Sequence, residues 1–330
     1  MKEQLLFFQR LKESVDSNIA LAEEISTLLH LSIDAVYRRM RGETALTYDE
    51  AALIRKAFGL KTDNTQAEAN NVVSFKYHSL YKSNKAFQQY LEGLIQDFKL
   101  IKQSNSVKLT YCALDIPVFH YFRSPKLAYF KLFYWQNSVM DIDQTDAYMT
   151  NRDKLADKIA LVQNFYTLYQ KTDSTEFWTD STIDSFIHQL AYYWESGILD
   201  SFEELSLIVE EAKEMIKSIE KQASNGKKIA LEHGEVSNTA KFDFYMSELL
   251  IGNNLILADM GKEKWSFISH QSFNSIRSSD KHFYAENEQW VKGLQKKSIL
   301  LSTTGEKIRH QFFKRQIEKL NALILKYEKQ

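Results

Sequence analysis

The chain has 330 residues, of which 44% are hydrophobic, 13% aromatic and 26% charged, with a formal net charge of −1. This composition excludes a disordered chain and a broadly basic nucleic-acid-binding protein, and it provides for a substantial core. Two prolines and ten glycines favour helices over a turn-rich sandwich, and the length fits one large domain or two unequal ones.

The N-terminal stretch "MKEQLLFFQRLKESV" has acids among its apolar positions and no small-residue cleavage site. It therefore predicts an amphipathic helix over residues 2 to 15 rather than a signal peptide. No apolar run approaches the roughly 18 residues of a membrane span, and a single cysteine excludes an internal disulfide. We expect a cytoplasmic protein with no membrane partner.

Residues 16 to 61 predict three further short helices. "DSN" at 16 to 18 can cap the second helix, Ser32 can cap a third that ends at Gly42, and Thr47 with Glu50 forms a capping box for a fourth. The polar stretch that follows predicts a linker. The expected domains are a bundle over residues 1–61, a linker over 62–74 and a C-terminal domain over 75–330.

The third helix carries three arginines in four positions, within "LHLSIDAVYRRMRGETALTYDE" (residues 29 to 50). At 100° per residue it separates an apolar side from a polar one. The apolar side holds Leu31, Ala35, Val36 and Met40, and the polar side holds Asp34, Tyr37, Arg38 and Arg41, with Ile33 at its edge. A capped helix end and arginine forks suit phosphate groups and guanine edges.

The segment "ISTLLHLSIDAVYRRMRGETALTYDEAALIRKAFGL" resembles the lambda-repressor-like helix-turn-helix family, and its BetR-like branch most closely. The resemblance rests on "YRRMRGE" followed by the helix start "TYDE", and it covers about residues 18 to 60. Two positions depart from the family pattern: Ser26 replaces the usual alanine at the helix crossing, and His30 replaces the usual glycine in the turn. A left-handed backbone at His30 would be strained.

The resemblance implies a recognition helix over residues 32 to 41 that lies in the DNA major groove. It places Ser32, Ile33, Asp34 and Arg38 at base edges, and Tyr37 and Arg41 on the backbone side. Thr44 and Thr47 would lie near the sugar-phosphate strand. Asp34 lies one turn before Arg38 and is expected either to position it or to accept from a cytosine amino group. Arg39 falls on the inward side, so we expect it to pair with Glu43, Asp49 or Glu50.

An arginine cluster can also be an ordinary solvated helix face. Residues 1 to 66 contain nine Lys and Arg against ten Asp and Glu, so phosphate attraction must come from a local patch and a monomer should bind weakly. The alternative to DNA binding is therefore a protein-interaction module whose bundle docks a protein partner.

The C-terminal region predicts a helix at 80 to 103, a strand in "VKLTYCALDI" and a mostly helical stretch from 144 to 223. "KFDFYMSELL", "NLILADM" and "KWSFISH" predict an antiparallel meander. A helix at 280 to 297, a strand in "SILLS" and a helix at 304 to 328 complete the chain. The expected fold class is mainly α, a helix-turn-helix bundle plus a larger α+β domain with a small antiparallel or mixed sheet.

No phosphate-binding glycine loop, HExxH or GxSxG motif is present, so we expect no enzyme. The eight histidines lack ligand spacing, and no metal or cofactor is expected. Cys112 suits a small buried residue. The aromatic block from Val118 to Trp135 can form core, a subunit interface or a small-molecule pocket, in which His120 and Arg123 would be the polar groups.

"STTGEKIRHQFF", from Ser302, is either an ordinary capped helix or an anion site with Lys307 and Arg309. Taken together, the sequence predicts a sequence-specific transcription regulator that binds double-stranded DNA. Its C-terminal domain is expected to form a homodimer and to accept an effector, either a small molecule or a protein.

Overall fold

The computed structural model describes residues 2–13, 18–58, 72–80, 83–103, 107–140, 148, 155–229, 231–232, 235–236 and 240–328. They form two compact units, Met1–Val72 and Val73–Gln330. Residues 62–71 of the predicted linker lie outside the described part of the chain.

The N-terminal unit contains four described helices around a small apolar core. They are α1 (Lys2–Glu13), α2 (Asn18–Leu29), α3 (Ile33–Met40) and α4 (Tyr48–Ala57). The core side chains, buried almost completely, are Phe8, Leu11, Leu21, Ala22, Ile25, Val36, Met40 and Ile54. Helices α1, α2 and α3 each contribute core residues that are three or four positions apart, and α4 contributes Ile54, so apolar sides of all four helices close on one another.

The C-terminal unit is built on a seven-stranded mixed sheet. Its strands are β1 (Lys108–Ala113), β2 (Asp173–Trp178), β5 (Phe242–Ser247), β6 (Leu255–Asp259), β7 (Lys264–His270), β8 (Asn274–Ser278) and β9 (Ser298–Leu300). They lie in the order β8-β7-β6-β1-β2-β5-β9, in which β1, β2 and β5 run parallel and the remaining neighbours are antiparallel. A separate pair joins β3 (Leu231–Glu232) and β4 (Glu235–Val236).

This sheet corrects the expected fold class, because a small sheet beside a mainly helical domain is wrong. Strand β2 is an interior strand of the sheet, between β1 and β5, and it lies within the stretch from 144 to 223 for which the sequence predicts mostly helix. The meander is also wrong in its first step, since β5 pairs with β2 and β9 whereas β6 pairs with β1 and β7. Only β6, β7 and β8 form an antiparallel meander.

Helices cover both faces of the sheet. The larger layer contains α5 (Asn84–Lys102), α6 (Val118–Tyr121), α7 (Pro125–Tyr134), a π-helical turn (Trp135–Val139), α8 (Ala156–Gln170), α9 (Asp184–Glu195), α10 (Phe202–Asn225) and α12 (Glu306–Tyr327). Helix α11 (Lys281–Lys296) packs on the other face, where Tyr284, Val291 and Leu294 meet Cys112 and Phe177. None of the described helices is long and apolar enough to cross a membrane.

A buried polar network lies between β2 and the larger helical layer. The fully buried Glu176 carboxylate contacts His120 Nε2 at 3.0 and 3.1 Å, accepts from Trp178 Nε1 at 2.8 Å and accepts from the hydroxyl of Tyr169. Lys228 Nζ donates to the Tyr169 carbonyl at 2.9 Å. Burial opposes ionisation of Glu176, but the neighbouring His120 and the other donors outweigh it and lower its pKa.

This network corrects one expectation for the aromatic block. His120 is bound to Glu176 and Arg123 is exposed, and neither is among the residues that line the cavity beside the aromatic block. Near the predicted anion site, Arg309 is buried and Nη1 donates to the carbonyls of Leu301 and Thr304. Its guanidinium therefore stabilises the start of α12.

Candidate nucleic-acid interface

The turn between α2 and α3 is fixed by two hydrogen bonds. Leu31 N–H donates to the Ser26 carbonyl at 3.0 Å, and Ser26 Oγ donates to the Leu31 carbonyl at 2.6 Å. His30 has φ +53°, which is the left-handed conformation that is strained for a residue other than glycine. The Ser26 hydroxyl makes a hydrogen bond that the usual alanine could not make. This bond stabilises the turn and offsets part of the strain of a non-glycine residue at position 30.

Helix α3 is capped as the sequence predicts. Ser32 has an extended backbone and its Oγ accepts from Ala35 N–H at 3.2 Å. At the other end Gly42 has φ +75°, and Glu43 N–H donates to the Arg38 carbonyl at 2.8 Å. Both ends of an eight-residue helix are therefore defined by local hydrogen bonds.

The inward and outward sides of α3 follow the helical wheel. Val36 and Met40 are buried in the core, whereas Ile33 is 45% exposed and the Arg38 side chain is 57% exposed. Of the eight predicted DNA-binding residues, those exposed are Ser32, Ile33, Asp34, Arg38, Arg41 and Thr47, and those half-buried are Tyr37 and Thr44. The structure therefore presents six of the eight on the surface of the N-terminal unit.

Two predicted contacts have other hydrogen-bonding or packing roles as well. Tyr37 packs against the core cluster of the N-terminal unit. Thr47 Oγ1 accepts from Glu50 N–H at 3.2 Å, and Glu50 Oε2 accepts from Thr47 N–H at 2.9 Å, which confirms the capping box. The Thr47 hydroxyl can still donate, but its position is set by the start of α4.

Glu43 links the two exposed arginines of the cluster. Arg41 Nε and Nη2 donate to its two carboxylate oxygens at 2.6 and 3.2 Å, and Arg38 Nε lies 3.9 Å from Oε2. The hydrogen bond from Arg41 lowers the pKa of Glu43 and raises that of Arg41, so this pair is charged at neutral pH. The ion-pair partner of Arg38 in the structure is Glu43 rather than Asp34, and the Asp34 side chain is exposed.

Arg39 has the structural role expected of it. Its Nε and Nη2 donate to the Glu50 carboxylate at 3.2 and 3.0 Å, and Nη1 donates to the Ala35 carbonyl at 3.2 Å. The two side chains are only 14% and 19% exposed. This planar ion pair joins α3 to α4. Arg39 therefore has a structural role, whereas the side chains of Arg38 and Arg41 face outward.

Gln4 is a residue that the sequence analysis missed. From α1, its amide nitrogen donates to the carbonyls of Arg39 and Thr44 at 2.7 and 2.8 Å, and its oxygen accepts from Leu46 N–H at 3.0 Å. One side chain thus fixes the loop between α3 and α4. A glutamine in an amphipathic helix carries no distinctive signal, because its partners are 35 or more residues away.

The arrangement can bind an anionic polymer through a small surface. Two guanidinium groups, a capped helix end and exposed hydroxyls lie within one helix and its flanking loop, and Glu43 offsets one of the two positive charges. Among the described residues no group of histidines, cysteines and carboxylates could hold a metal ion. Hydrogen bonds, charge and the exposed apolar side chain of Ile33 are therefore the recognition groups on this face of the described unit.

Comparison of the chain with protein-family models, with curated proteins and with solved structures found no match. The geometry of α3 and its flanking turns is therefore the main indication of what the N-terminal unit binds.

Proposed function

We propose that the chain is a sequence-specific DNA-binding regulator whose helix α3 enters the major groove. The observation that carries the proposal is the outward display of Arg38 and Arg41 by a helix that is capped at Ser32 and fixed from behind by Arg39 and Gln4. A rigid helix with exposed guanidinium groups suits recognition of base edges and phosphates.

Each exposed residue has a role that fits its chemistry. Arg38, at mid-helix, would donate to O6 and N7 of a guanine, and Asp34 would accept from a cytosine amino group. Arg41 lies at the C-terminal end, beside the loop, and would bind a phosphate after exchanging Glu43 for it. Ser32 and Ile33, at the start of the helix, would contact base edges, and Thr44 and Thr47 would lie near the sugar-phosphate strand.

The modest local charge favours a dimer as the binding species. A single N-terminal unit with one net positive charge in its arginine cluster would bind duplex DNA weakly. Two N-terminal units that are linked in a dimer bind more tightly through effective concentration, and a two-fold axis places their recognition helices about one DNA turn apart. The proposal therefore includes a C-terminal unit that dimerises and an operator that is an inverted repeat.

The test begins with selection of a duplex from random DNA by the full chain. Anisotropy titrations then compare the wild type, Arg38→Ala and the control Lys56→Ala, which removes an exposed cation from α4. Arg38→Ala should weaken binding by about 1–3 kcal/mol and relax selectivity at one base position per half-site. Equal loss in both variants at every position would contradict direct base recognition by Arg38.

A protein partner is the second candidate for the N-terminal unit. Tyr48 is 84% exposed and Leu53 is 48% exposed on α4, and such side chains are frequent in protein interfaces. This candidate predicts no salt-dependent binding to any duplex and loss of partner binding in Tyr48→Ala. Steep salt dependence of duplex binding would favour the DNA proposal instead.

A further inference from the structure

The C-terminal unit contains an aromatic cavity of about 120 Å³. It lies between α5, the end of β1, α6, α7 and the β6–β8 meander, and its main rings are Tyr90, Phe98, Tyr111, Phe119, Trp135 and Phe273. An apolar cavity of about 150 Å³ is large enough to bind benzene. The apolar part of a ligand here is therefore about as large as one benzene ring or a short branched alkyl chain.

Several apolar side chains on the cavity wall are only half-buried, although they lie between sheet and helices. They are Leu94, Val118, Ile256, Phe267 and Phe273. The Phe273 ring stacks on Trp135 with the ring centres 4.3 Å apart, and Tyr90 Oη donates to the Phe273 carbonyl at 3.0 Å. The cavity is thus accessible, and its aromatic wall is held by specific contacts.

One wall of the cavity carries a buried ammonium group with incomplete pairing. The Lys131 side chain is 2% exposed, and Nζ donates to Gln189 Oε1 at 2.9 Å. The distance from Nζ to Asp115 Oδ2 is 3.5 Å, which is long for a charge-assisted hydrogen bond. An ammonium has three N–H donors, and among the described residues Nζ has no third oxygen acceptor, since its remaining close contact is with the face of the Tyr121 ring, whose centre lies 4.2 Å away.

Asn254 provides a second donor on the same cavity. Its Oδ1 accepts from the N–H groups of Leu114 and Asp115 at 2.8 and 3.2 Å, which fixes the loop after β1. The amide nitrogen has no hydrogen-bond partner among the described residues. Lys131 and Asn254 both line the cavity and both contact Asp115, so each provides a donor for a ligand carboxylate at this end of the cavity.

The charges on the wall decide what else the ligand must carry. Asp97 is compensated by Arg277 at 2.7 Å, and Asp115 is compensated by Lys131. A bare carboxylate would leave one uncompensated negative charge in a poorly solvated site, which is unfavourable. A zwitterion keeps the balance at zero, because its cationic group can approach Asp115 while its carboxylate binds Lys131.

We propose that this cavity binds a small apolar α-amino acid, with its side chain among the rings and its zwitterionic end at Lys131, Asp115 and Asn254. The proposal does not require DNA binding, so its test uses the ligand and the full chain without DNA.

Isothermal titration calorimetry would measure binding of L-phenylalanine and L-leucine as probes. Three further probes each lack one part of the ligand: 3-phenylpropanoate has no amino group, phenethylamine has no carboxylate and glycine has no apolar side chain. At least one of the two amino acids should bind the protein, and each of the three other compounds should bind at least about tenfold more weakly than that amino acid. Absence of binding by both amino acids, or equal binding of 3-phenylpropanoate or phenethylamine, would overturn the proposal.

Two variants test the position of the ligand. Lys131→Met should weaken amino-acid binding by about tenfold or more, whereas the control Lys126→Met, on the same helix and paired with Glu204 away from the cavity, should not. Ile256→Phe keeps Lys131 but fills the cavity, and should abolish binding while circular dichroism shows a native fold. Wild-type affinity in a folded Lys131→Met or Ile256→Phe protein would contradict the assigned site.

Discussion

Replacing Glu43 by glutamine should strengthen DNA binding and increase its salt dependence. At neutral pH the group formed by Arg38, Arg41 and Glu43 has a net charge of +1, because the lowered pKa of Glu43 keeps its carboxylate ionised. Glu43→Gln raises that charge to +2 and frees Arg41, whose Nε now lies 2.6 Å from the carboxylate. One additional phosphate contact should make the slope of log K against log salt steeper by about 0.9.

The assay is an anisotropy titration of the selected duplex by the full chain over a series of salt concentrations. Glu24→Gln is the matched control, because it removes the same charge from an exposed position on α2 without contacting either arginine. A slope for Glu43→Gln that equals that of Glu24→Gln would refute the idea that Glu43 competes with phosphates for these guanidinium groups.

Three further predictions concern stability and access. Gln4→Ala should destabilise the N-terminal unit by about 1–3 kcal/mol in thermal unfolding, because three backbone groups lose their partner, whereas Gln9→Ala on the exposed side should have little effect. Glu176→Gln should destabilise the C-terminal unit by about 3–5 kcal/mol in denaturant titrations, with Glu248→Gln as the exposed control. Since the folded-state pKa of Glu176 is lowered, its stabilising effect is present above about pH 4.5 and is lost as the pH falls through the folded value, so the variant should show a weaker acid dependence. Burial raises the pKa of the Cys112 thiol to about 12, so a thiol reagent at pH 8 should modify it only after unfolding, and fast stoichiometric reaction of the native protein would contradict its burial.

The N-terminal helices were predictable because their signals are local. Ser32, Gly42 and the Thr47–Glu50 capping box each define a helix end through partners within four residues, and the structure contains all three. The outward direction of Arg38 followed from helix periodicity alone. The pairing of Arg38 and Arg41 with Glu43 did not, since a loop glutamate can turn towards several partners.

The C-terminal sheet was less predictable because its pairings are long-range. Strand β2 carries the polar residues Ser174 and Glu176 at buried positions, so its pattern of polar and apolar residues is not typical of a strand inside a sheet. The placement of β5 beside β2 depends on crossover helices rather than on the short connection to β6. The cavity likewise depends on segments distant in sequence, and Lys131 within an apolar helix gives no local sign of its partner Asp115.

The most direct test of the central claim is a double-mutant cycle between Arg38 and the operator guanines. Affinities are measured for the wild type and Arg38→Ala, each with the selected duplex and with duplexes in which one guanine is replaced by 7-deazaguanine, which lacks the N7 acceptor. If Arg38 binds the guanine edge, the two changes are strongly non-additive at one guanine in each half-site and additive elsewhere. Additive effects at every guanine would show that Arg38 does not read that base edge and would contradict major-groove recognition by α3 through this residue.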